Sequence, residues 1–373
     1  MAYLIAALLL GSLVYCILVI IAVGKYRFVR PSVPISLPPI SILKPLEGMD
    51  LGLESNLRTF FEQDYPEFEI LFAMRTSNDP AYALVNRLSL EYPNVPSRVL
   101  LVGEFPPWPN RKVWSLQQMM AEASNDLLVM SDSDIRVTSS MLATLAAEFG
   151  DPKLAVTTCP YRAVPGQSFW SKLEALGMNT EFLGGIVVAR MLEGMRFAVG
   201  PTIAARKSVI ESIGGWERLR QYLAEDFVLG QFAADAGHGV ALSSYLVEHH
   251  IGSESFSANA QHRIRWNRST RRSRPAGYLG QFFTNPLPIA LLLLLISQSY
   301  WPLLILTCII RAAAAAATAS TILNDPLTTR NWYLVPMADM ISFLFWIAGF
   351  FGNTIYWRGQ RYRLLADGRF EAC

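Results

Sequence analysis

Two aspartates separated by one residue follow a short apolar run near the middle of the sequence. The run is Leu127–Ser131, and the aspartates are Asp132 and Asp134. A run of this length is typical of a buried strand in a parallel sheet, and ligands bind beyond the carboxyl ends of such strands. The two carboxylates can share Mg²⁺ or Mn²⁺ and leave coordination positions for the phosphates of a nucleotide-diphosphate donor. The alternative is a turn in which an aspartate caps the helix predicted at 138–149.

Two further polar positions fall where the same donor would need them. Asp79 follows the second predicted strand and can accept hydrogen bonds from a uracil or a ribose, or else cap the helix that begins at Pro80. Lys112 precedes the aspartate strand and can bring a cation to the diphosphate, or else be a solvated charge. His249 and His250, at the end of a later predicted strand, are either ordinary strand-end residues or a further metal ligand.

A third acidic position lies at the start of a predicted helix. Asp226 follows Glu225, and the helix runs to about Ala236. A helix N-terminus favours anions, so the pattern is typical of a helix cap. The same location keeps a carboxylate ionised, which a general base needs if it is to take a proton from an acceptor hydroxyl. Asp226 is therefore the candidate base, and direct attack of that hydroxyl on the anomeric carbon would invert the configuration of the sugar.

An arginine-rich segment comes before the C-terminal apolar region. It contains six arginines in residues 263–274, among them Arg265 directly before Trp266. Such clusters often flank membrane spans and fix their topology. Arg265 can also bind a diphosphate leaving group in a bidentate manner beside the aromatic ring. We expect different arginines to fill the two roles.

The elements that position these residues alternate along the middle of the chain. Short apolar runs alternate with helical stretches, which predicts an α/β fold with a mostly parallel sheet. Neither a Gly-x-Gly-x-x-Gly nor a Walker motif is present, which disfavours dinucleotide and ATP binding. The predicted strands are 40–43, 68–74, 98–102, 127–131, 154–158 and 197–205, and the predicted helices include 52–63 and 80–91.

The chain is too apolar for a wholly soluble protein, and its apolar residues are concentrated at the two ends. Of the 373 residues, 52% are hydrophobic and 17% are charged. The uncharged run 2–23 is long enough to cross a bilayer, and the basic residues after it place the following domain in the cytoplasm, as in the bacterial inner membrane. The net charge of +2 does not indicate a nucleic-acid partner, and the four scattered cysteines support neither a disulfide framework nor a zinc site.

The topology of the C-terminal region contains a conflict. Apolar segments at 287–296, 301–323 and 332–351 predict three spans, which would leave the C-terminus outside, whereas the arginines between 358 and 369 favour the inside. One apolar segment can instead enter the bilayer without crossing it. The predicted division is an anchor at 1–24, a linker at 25–39, a catalytic domain at 40–275 with an interfacial helix near 168–195, membrane helices at 276–356 and a basic tail at 357–373.

Together these residues resemble the membrane-bound glycosyltransferases with a GT-A fold, and most closely the ceramide glucosyltransferase family with its bacterial relatives that glycosylate hopanoid lipids. The resemblance rests on Asp79 in NDPA, Asp132 in SDSDIRV, Asp226 in AEDFVLG and Arg265-Trp266 in HxxRW. The chain departs from the (Q/R)xxRW pattern at His262. It also has no counterpart of the histidine that animal members carry between the second and third acidic motifs.

The resemblance implies specific roles for these residues. Asp79 and Asp132 would bind a UDP-sugar, Arg265 and Trp266 would contact its leaving group, Asp132 and Asp134 would hold Mg²⁺ or Mn²⁺, and Asp226 would act as the base. The expected function is transfer of glucose or N-acetylglucosamine to a hydroxyl of a membrane lipid of the ceramide or hopanoid type. The alternatives are a polysaccharide synthase, for which the apolar segments look too few to form a polymer channel, and a non-catalytic lipid-binding scaffold, which would not need Asp226.

Overall fold

A computed structural model describes residues 1–30, 37–252, 255–357 and 359–373. Residues 31–36 of the predicted linker and Arg358 lie outside the described residues. The helices are α1 (Ala2–Tyr26), α2 (Leu53–Phe61), α3 (Pro80–Glu91), α4 (Arg111–Glu122), α5 (Met141–Glu148), α6 (Phe169–Gly177), α7 (Leu183–Glu193), α8 (Lys207–Ser212), α9 (Gly215–Leu219), α10 (Glu225–Asp235), α11 (Phe256–Ser273), α12 (Pro275–Gly280), α13 (Pro286–Ile296), α14 (Trp301–Ala316), α15 (Pro326–Asn331) and α16 (Val335–Gly349). The strands are β1 (Ile40–Pro45), β2 (Phe68–Met74), β3 (Ser97–Leu101), β4 (Leu127–Ser131), β5 (Ile135–Arg136), β6 (Leu154–Thr158), β7 (Tyr161–Val164), β8 (Thr202–Arg206), β9 (Gly239–Leu242), β10 (Val247–His250), β11 (Thr354–Trp357), β12 (Gln360–Leu364) and β13 (Phe370–Ala372).

A seven-stranded sheet forms the centre of the α/β domain. Its order is β3-β2-β1-β4-β8-β6-β9. The strands pair in parallel except β8, which is antiparallel to both β4 and β6. The predicted α/β class with a mostly parallel sheet is confirmed. Strand β8 begins at Thr202, so residues 197–201 of the strand predicted at 197–205 are not in the sheet.

Helices cover both faces of this sheet because its strands are apolar on both sides. Helices α2, α3 and α5 pack on one face through a cluster that includes Phe60, Val85 and Leu145. Helices α4, α8, α9 and α10 pack on the other face through a cluster that includes Leu116 and Trp216. The sheet is therefore a rigid layer, and the polar residues that follow its strands are held at one edge.

A small second sheet lies against that edge. Strand β10 pairs in parallel with β7 and antiparallel with the two-residue strand β5, which immediately follows Asp134. The register places His249 opposite Ile135, so the histidine lies beside the aspartate pair. Helix α5 begins at Met141 with Ser140 as its N-cap. Neither aspartate caps it, which removes the capped-turn alternative.

Several apolar helices pack beside the α/β domain. Among the described residues, three helices are long and apolar enough to cross a membrane, namely Ala2–Tyr26, Gln298–Ile322 and Pro326–Gly349. A further pair, Pro275–Thr284 with Pro286–Ile296, is bent by 58°. The predicted interfacial element at 168–195 consists of α6 and α7 joined by the π-helical segment Met178–Phe182. Val19 of α1 packs in one apolar cluster with residues of α7.

One ion pair is buried among the apolar helices. Arg311 of α14 donates to both carboxylate oxygens of Asp339 on α16, at 2.8 and 2.7 Å. It also donates to Thr180 Oγ1 at 3.1 Å. Both charged side chains are at most 4% exposed. The guanidinium is thus satisfied by a neighbouring helix, which is the usual condition for an ionisable residue inside a membrane segment.

The C-terminal segment forms a third sheet, β11-β12-β13. It includes residues that the sequence predicted to be a basic tail. Phe370 N donates to Gln221 O at 2.8 Å, and Arg369 forms a β-bridge with Tyr222. Leu223 packs against the apolar side of the sheet. The end of the chain therefore contacts the loop that immediately precedes α10.

Candidate active site

The polar residues that follow β2 and β4 meet at one edge of the central sheet. Asp79, at the N-cap of α3, accepts hydrogen bonds from Gly48 N at 3.0 Å and from Ala81 N at 2.9 Å. Gly48 lies just beyond β1, which is paired with both β2 and β4. Asp79 and the Asp132–Asp134 pair therefore border neighbouring parts of the same edge, as expected from the strand pattern.

A lysine joins two of the acidic positions. Lys112 Nζ lies 2.6 Å from Asp132 Oδ1 and 3.0 Å from Glu225 Oε1. Its location on α4 is fixed by Asn110, whose side chain caps the helix and also donates to Tyr222 O at 2.8 Å. Burial alone would lower the pKa of Lys112, but the carboxylates of Asp132 and Glu225 outweigh this effect and leave the pKa raised. The lysine is thus a fixed cation between α4, β4 and α10.

A second lysine, Lys44 on β1, contacts the backbone of the aspartate segment. Lys44 is completely buried, donates to the backbone oxygen of Asp132 at 2.5 Å, and lies 3.8 Å from the ring centre of Phe60. Burial lowers the pKa of Lys44 to about 7, although Asp132 and Asp134 oppose the shift. The lysine holds the backbone of the aspartate turn in place.

Asp134 is held by a histidine rather than by a lysine. His249 Nε2 lies 3.0 Å from Asp134 Oδ2. Burial would raise the pKa of Asp134, but the charge and the hydrogen bond of His249 leave it lowered. Asp134 Oδ1 is buried and has no hydrogen-bond partner among the described residues. One carboxylate oxygen is thus fixed, and the other is left without a hydrogen bond.

The donor set fits a divalent cation through two carboxylates. Asp132 and Asp134 would supply hard oxygen ligands, and the unpartnered Asp134 Oδ1 is the atom that a cation would satisfy. In the described part of the chain, no group of three His, Cys, Asp or Glu is arranged to hold a metal ion. Donor phosphates would have to supply other ligands, as is usual for Mg²⁺ at phosphate sites.

Asp226 lies in the first turn of α10 and lines a cavity with Lys112, Asp132 and Glu225. Burial, followed by the neighbouring Glu225 carboxylate, raises the pKa of Asp226 to about 7. Gly200 forms the opposite wall, where an added Cβ would lie only 2.9 Å from Asp226 Oδ2. A glycine is therefore needed for the close approach. The structure brings Asp226, Asp132 and Lys112 together, as the sequence predicted.

A tryptophan that the sequence did not single out completes this cavity. Trp216 is 1% exposed and lines the same space as Asp226. Its Nε1 is buried and has no hydrogen-bond partner among the described residues. The signal available in the sequence was Gly214-Gly215-Trp216, ten residues before Asp226, which predicted only a turn. The indole N–H is a donor available to a ligand.

Arg265 and Trp266 lie on α11, outside that cavity lining. The guanidinium of Arg265 lies 6.0 Å from the ring centre of Trp357 on β11. The ring of Trp266 packs against those of Phe182 and His262, with centroids 6.4 and 4.5 Å apart. Arg265 therefore lies next to the C-terminal sheet. Trp266 lies next to the helices near α1.

The neighbouring polar residues of α11 have structural partners. His262, which departs from the family pattern, lies 3.0 Å from the buried Glu174 of α6. Arg268 donates to Thr354 O, and Arg271 donates to Gly352 O at 2.9 Å. These two arginines hold the C-terminal segment, and Arg265 is oriented differently, over Trp357.

The chain is similar in sequence to known proteins. The chain is 30% identical over 212 residues to ceramide glucosyltransferase 1 of Caenorhabditis elegans, covering 56% of this chain and 45% of that protein. It is 26% identical over 347 residues to ceramide glucosyltransferase 3 of the same organism, covering 90% of this chain and 74% of that protein. The matched region is thus less than half the length of the first relative.

A solved structure shares the fold. The mannosyltransferase PcManGT from Pyrobaculum calidifontis, in complex with GDP-Man and Mn²⁺, superimposes with a TM-score of 0.54 at 16% identity, covering 93% of this chain and 97% of that one. The central sheet and its helices therefore form the predicted GT-A fold. Residues 4–370 match glycosyl transferase family 21, so the chain belongs to that family.

Proposed function

We propose that the chain is an inverting UDP-sugar-dependent hexosyltransferase that glycosylates a hydroxyl of a membrane lipid. The proposed sugar is glucose or N-acetylglucosamine. The proposed acceptor is a lipid of the ceramide or hopanoid type. The observation that carries the proposal is that Asp226, Asp132 and Lys112 line one cavity. The same chain has helices long and apolar enough to cross a membrane. We place the catalytic domain on the cytoplasmic face, as in the bacterial inner membrane, where nucleotide sugars are available.

The donor would bind along the sheet edge. Asp79 would contact the uridine, and Lys112 would contact the diphosphate with a charge-assisted hydrogen bond. Asp132 and Asp134 would hold Mg²⁺ or Mn²⁺, which would neutralise charge on the diphosphate. His249 binds only Oδ2 of Asp134, and the unpartnered Oδ1 supports this assignment. Support for a nucleotide sugar comes from the family and from the fold shared with a GDP-mannose-bound enzyme.

Asp226 would provide the base. Its carboxylate takes the proton of the acceptor hydroxyl while the hydroxyl oxygen forms a bond to the anomeric carbon. The bond between that carbon and the diphosphate oxygen breaks, and UDP leaves with the electron pair. Attack opposite the leaving group inverts the anomeric configuration. A base whose pKa is raised to about 7 by burial is suited to proton transfer near neutral pH.

Arg265 and Trp266 would act at the borders of the site. Arg265 would reach the leaving diphosphate from α11, with Trp357 limiting the positions of its guanidinium. Trp266, packed against Phe182 of the segment between α6 and α7, would border the path of the lipid acceptor. A lipid acceptor is supported by the two ceramide glucosyltransferase relatives and by the contact of α7 with α1.

The test separates donor binding from transfer. The purified full-length protein is incubated with UDP-glucose or UDP-N-acetylglucosamine and with ceramide or a hopanoid acceptor, with and without EDTA, and product is detected by mass spectrometry. Asp226→Asn should bind UDP in a calorimetric titration but transfer no sugar. Asp132→Ala should lose metal-dependent UDP binding.

Asp235→Asn is the matched control, because Asp235 lies at the other end of α10 and pairs with Arg196 on the surface. It should behave like the parent. Absence of transfer for every donor and acceptor, together with parent-like behaviour of Asp226→Asn, would refute the enzymatic proposal. Equal loss of UDP binding in both active-site variants would refute the assigned division of roles.

A further inference from the structure

A second cavity lies where two apolar helices end. Its volume is about 360 Å³, and it shares no lining residue with the cavity of Asp226. Tyr26, the last residue of α1, borders it, as do Thr321 and Ile322 at the end of the apolar helix Gln298–Ile322. Both helices are long and apolar enough to span a bilayer, and their ends meet at this cavity, so we take their common end as the level of the membrane surface. The cavity therefore opens at headgroup depth.

The charged side chains in its lining are Arg27 and Arg30. Both are exposed, and neither forms an ion pair with a described carboxylate. Arg30 Nη1 donates to the backbone oxygens of Arg27 and Val29 at 3.0 Å, which orients its guanidinium and leaves further N–H groups available. The hydroxyl-bearing residues Ser244 and Thr321 also line the space.

The walls of the cavity are fixed by hydrogen bonds. The Tyr26 hydroxyl donates to Ser243 O. The next residue, Ser244, donates to Glu148 Oε1 from its backbone at 2.8 Å and from its hydroxyl at 3.0 Å. Arg162 donates to Leu323 O and Asn324 O, each at 3.0 Å. The cavity is thus a preformed space between the α/β domain and the two helix ends.

Size, charge and depth together indicate the class of ligand. Small-molecule sites have volumes of roughly 300–1,000 Å³, and guanidinium groups are well suited to phosphate. Unpaired cations next to membrane-spanning helices attract anionic lipids. We infer that this cavity binds the phosphate-bearing headgroup of an anionic membrane lipid, at a site separate from donor and acceptor. A bound headgroup links the ends of α1 and of Gln298–Ile322 to the catalytic domain through the Ser243–Ser244 segment.

The experiment uses the full-length protein in a neutral detergent. Dioctanoyl-phosphatidylglycerol, dioctanoylglycerol and inorganic phosphate are titrated separately, and binding is followed by calorimetry. The first variant, Arg27→Gln with Arg30→Gln, removes the cations. The second, Thr321→Trp, fills the cavity and retains both arginines. The matched control is Arg196→Gln with Arg330→Gln, which removes two exposed charges that do not line the cavity.

The parent should bind the phosphatidylglycerol saturably, bind dioctanoylglycerol without saturation and bind inorganic phosphate far more weakly. Loss of both arginines should weaken binding roughly tenfold or more, Thr321→Trp should weaken it comparably, and the control should match the parent. If the double variant does not purify in a folded form, Arg27→Gln and Arg30→Gln singly should each give a smaller loss.

Three results would overturn the inference. Equal loss in the control would mean attraction by net charge alone. Parent-like binding by Thr321→Trp would mean that the cavity is not the site. Inorganic phosphate binding as tightly as the lipid would identify a soluble-anion site instead of a headgroup site.

Discussion

The ammonium group of Lys112 lies 2.6 Å from Asp132 Oδ1, and thus on a carboxylate that we also assign to a divalent cation. Under this assignment, the lysine and the metal would compete for Asp132 in the absence of a donor, and a bound diphosphate would draw the lysine away from Asp132. Lys112→Met should raise the Mn²⁺ affinity of the nucleotide-free protein, because a competing cation is removed. The same change should weaken UDP binding roughly 10- to 100-fold, as expected for a lost hydrogen bond between charged groups.

Electron paramagnetic resonance of Mn²⁺ and a calorimetric UDP titration measure the two effects. Lys153→Met, on an exposed turn, is the control and should change neither. A parallel loss of metal and nucleotide affinity in Lys112→Met would contradict the competition.

The raised pKa of Asp226 predicts the pH dependence of transfer. Burial and the Glu225 carboxylate raise this pKa to about 7, and the base acts only when ionised. The kcat/KM should therefore fall about tenfold per pH unit below about pH 7. Glu225→Gln removes the neighbouring negative charge and should shift this acid limb to lower pH, whereas Glu217→Gln on α9 should leave it unchanged. An acid limb that stays fixed in Glu225→Gln would contradict the assignment.

Trp216 should contribute a hydrogen bond to the bound sugar. Trp216→Phe retains most of the ring volume and removes the unpartnered Nε1–H. Loss of one neutral hydrogen bond costs about 0.5–1.5 kcal/mol, which corresponds to roughly 2- to 10-fold in kcat/KM. UDP affinity should not change, because UDP lacks the sugar. A parent-like kcat/KM, or an equal loss of UDP affinity, would contradict this role.

The buried pair of Arg311 and Asp339 should be important for the packing of the apolar helices. Removing one partner leaves an uncompensated buried charge, so Arg311→Met should lower the free energy of unfolding by about 3–5 kcal/mol. The double variant Arg311→Met with Asp339→Leu should lose less than the single one, because no lone charge is left. Thermal unfolding in detergent measures both. Additive losses would show that the two residues do not act as a pair.

The ends of the apolar helix Pro326–Gly349 predict the location of the C-terminus. Just before it, Asp325 accepts a hydrogen bond from Asn179 at 3.0 Å, and just after it, Phe350 O accepts from Arg271. Both partners belong to segments that continue directly from the α/β domain. This helix should therefore not cross the bilayer, despite its length, and Cys373 should lie on the catalytic side.

Labelling with a membrane-impermeant maleimide tests the topology. In a Cys308→Ser background, Cys373 and a reporter Lys153→Cys should react from the same side of sealed vesicles. Cys16 and Cys159 are buried and should stay unlabelled. Labelling of Cys373 and the reporter from opposite sides would mean that the helix crosses. Same-side labelling would resolve the conflict between three predicted spans and the C-terminal arginines.

The sequence predicted the central elements well for a physical reason. Strands β2, β4 and β6 and helix α3 begin and end where predicted, because each is a buried apolar run or an amphipathic stretch with a clear boundary. Asp132 and Asp226 were placed in one site because strand ends and helix starts gather at one sheet edge. Local pattern and long-range packing agree at these positions.

Other features depend on contacts between distant residues. The pairing of His249 with Asp134 requires β10 to lie beside a two-residue strand, which has no sequence signature. The antiparallel direction of β8 is set by its neighbours β4 and β6. The C-terminal sheet is short and rich in charged residues, so its composition predicted a tail, whereas Phe370 and Tyr362 give it an apolar side.

The hydrogen bond from Phe370 N to Gln221 O joins residues that are far apart in the sequence. The loop before Asp226 therefore receives this neighbour only after all the apolar helices have been synthesised. During translation the α/β domain should therefore lack this contact while the apolar helices are being made. The proposed transfer activity should consequently begin only after the apolar helices have been synthesised.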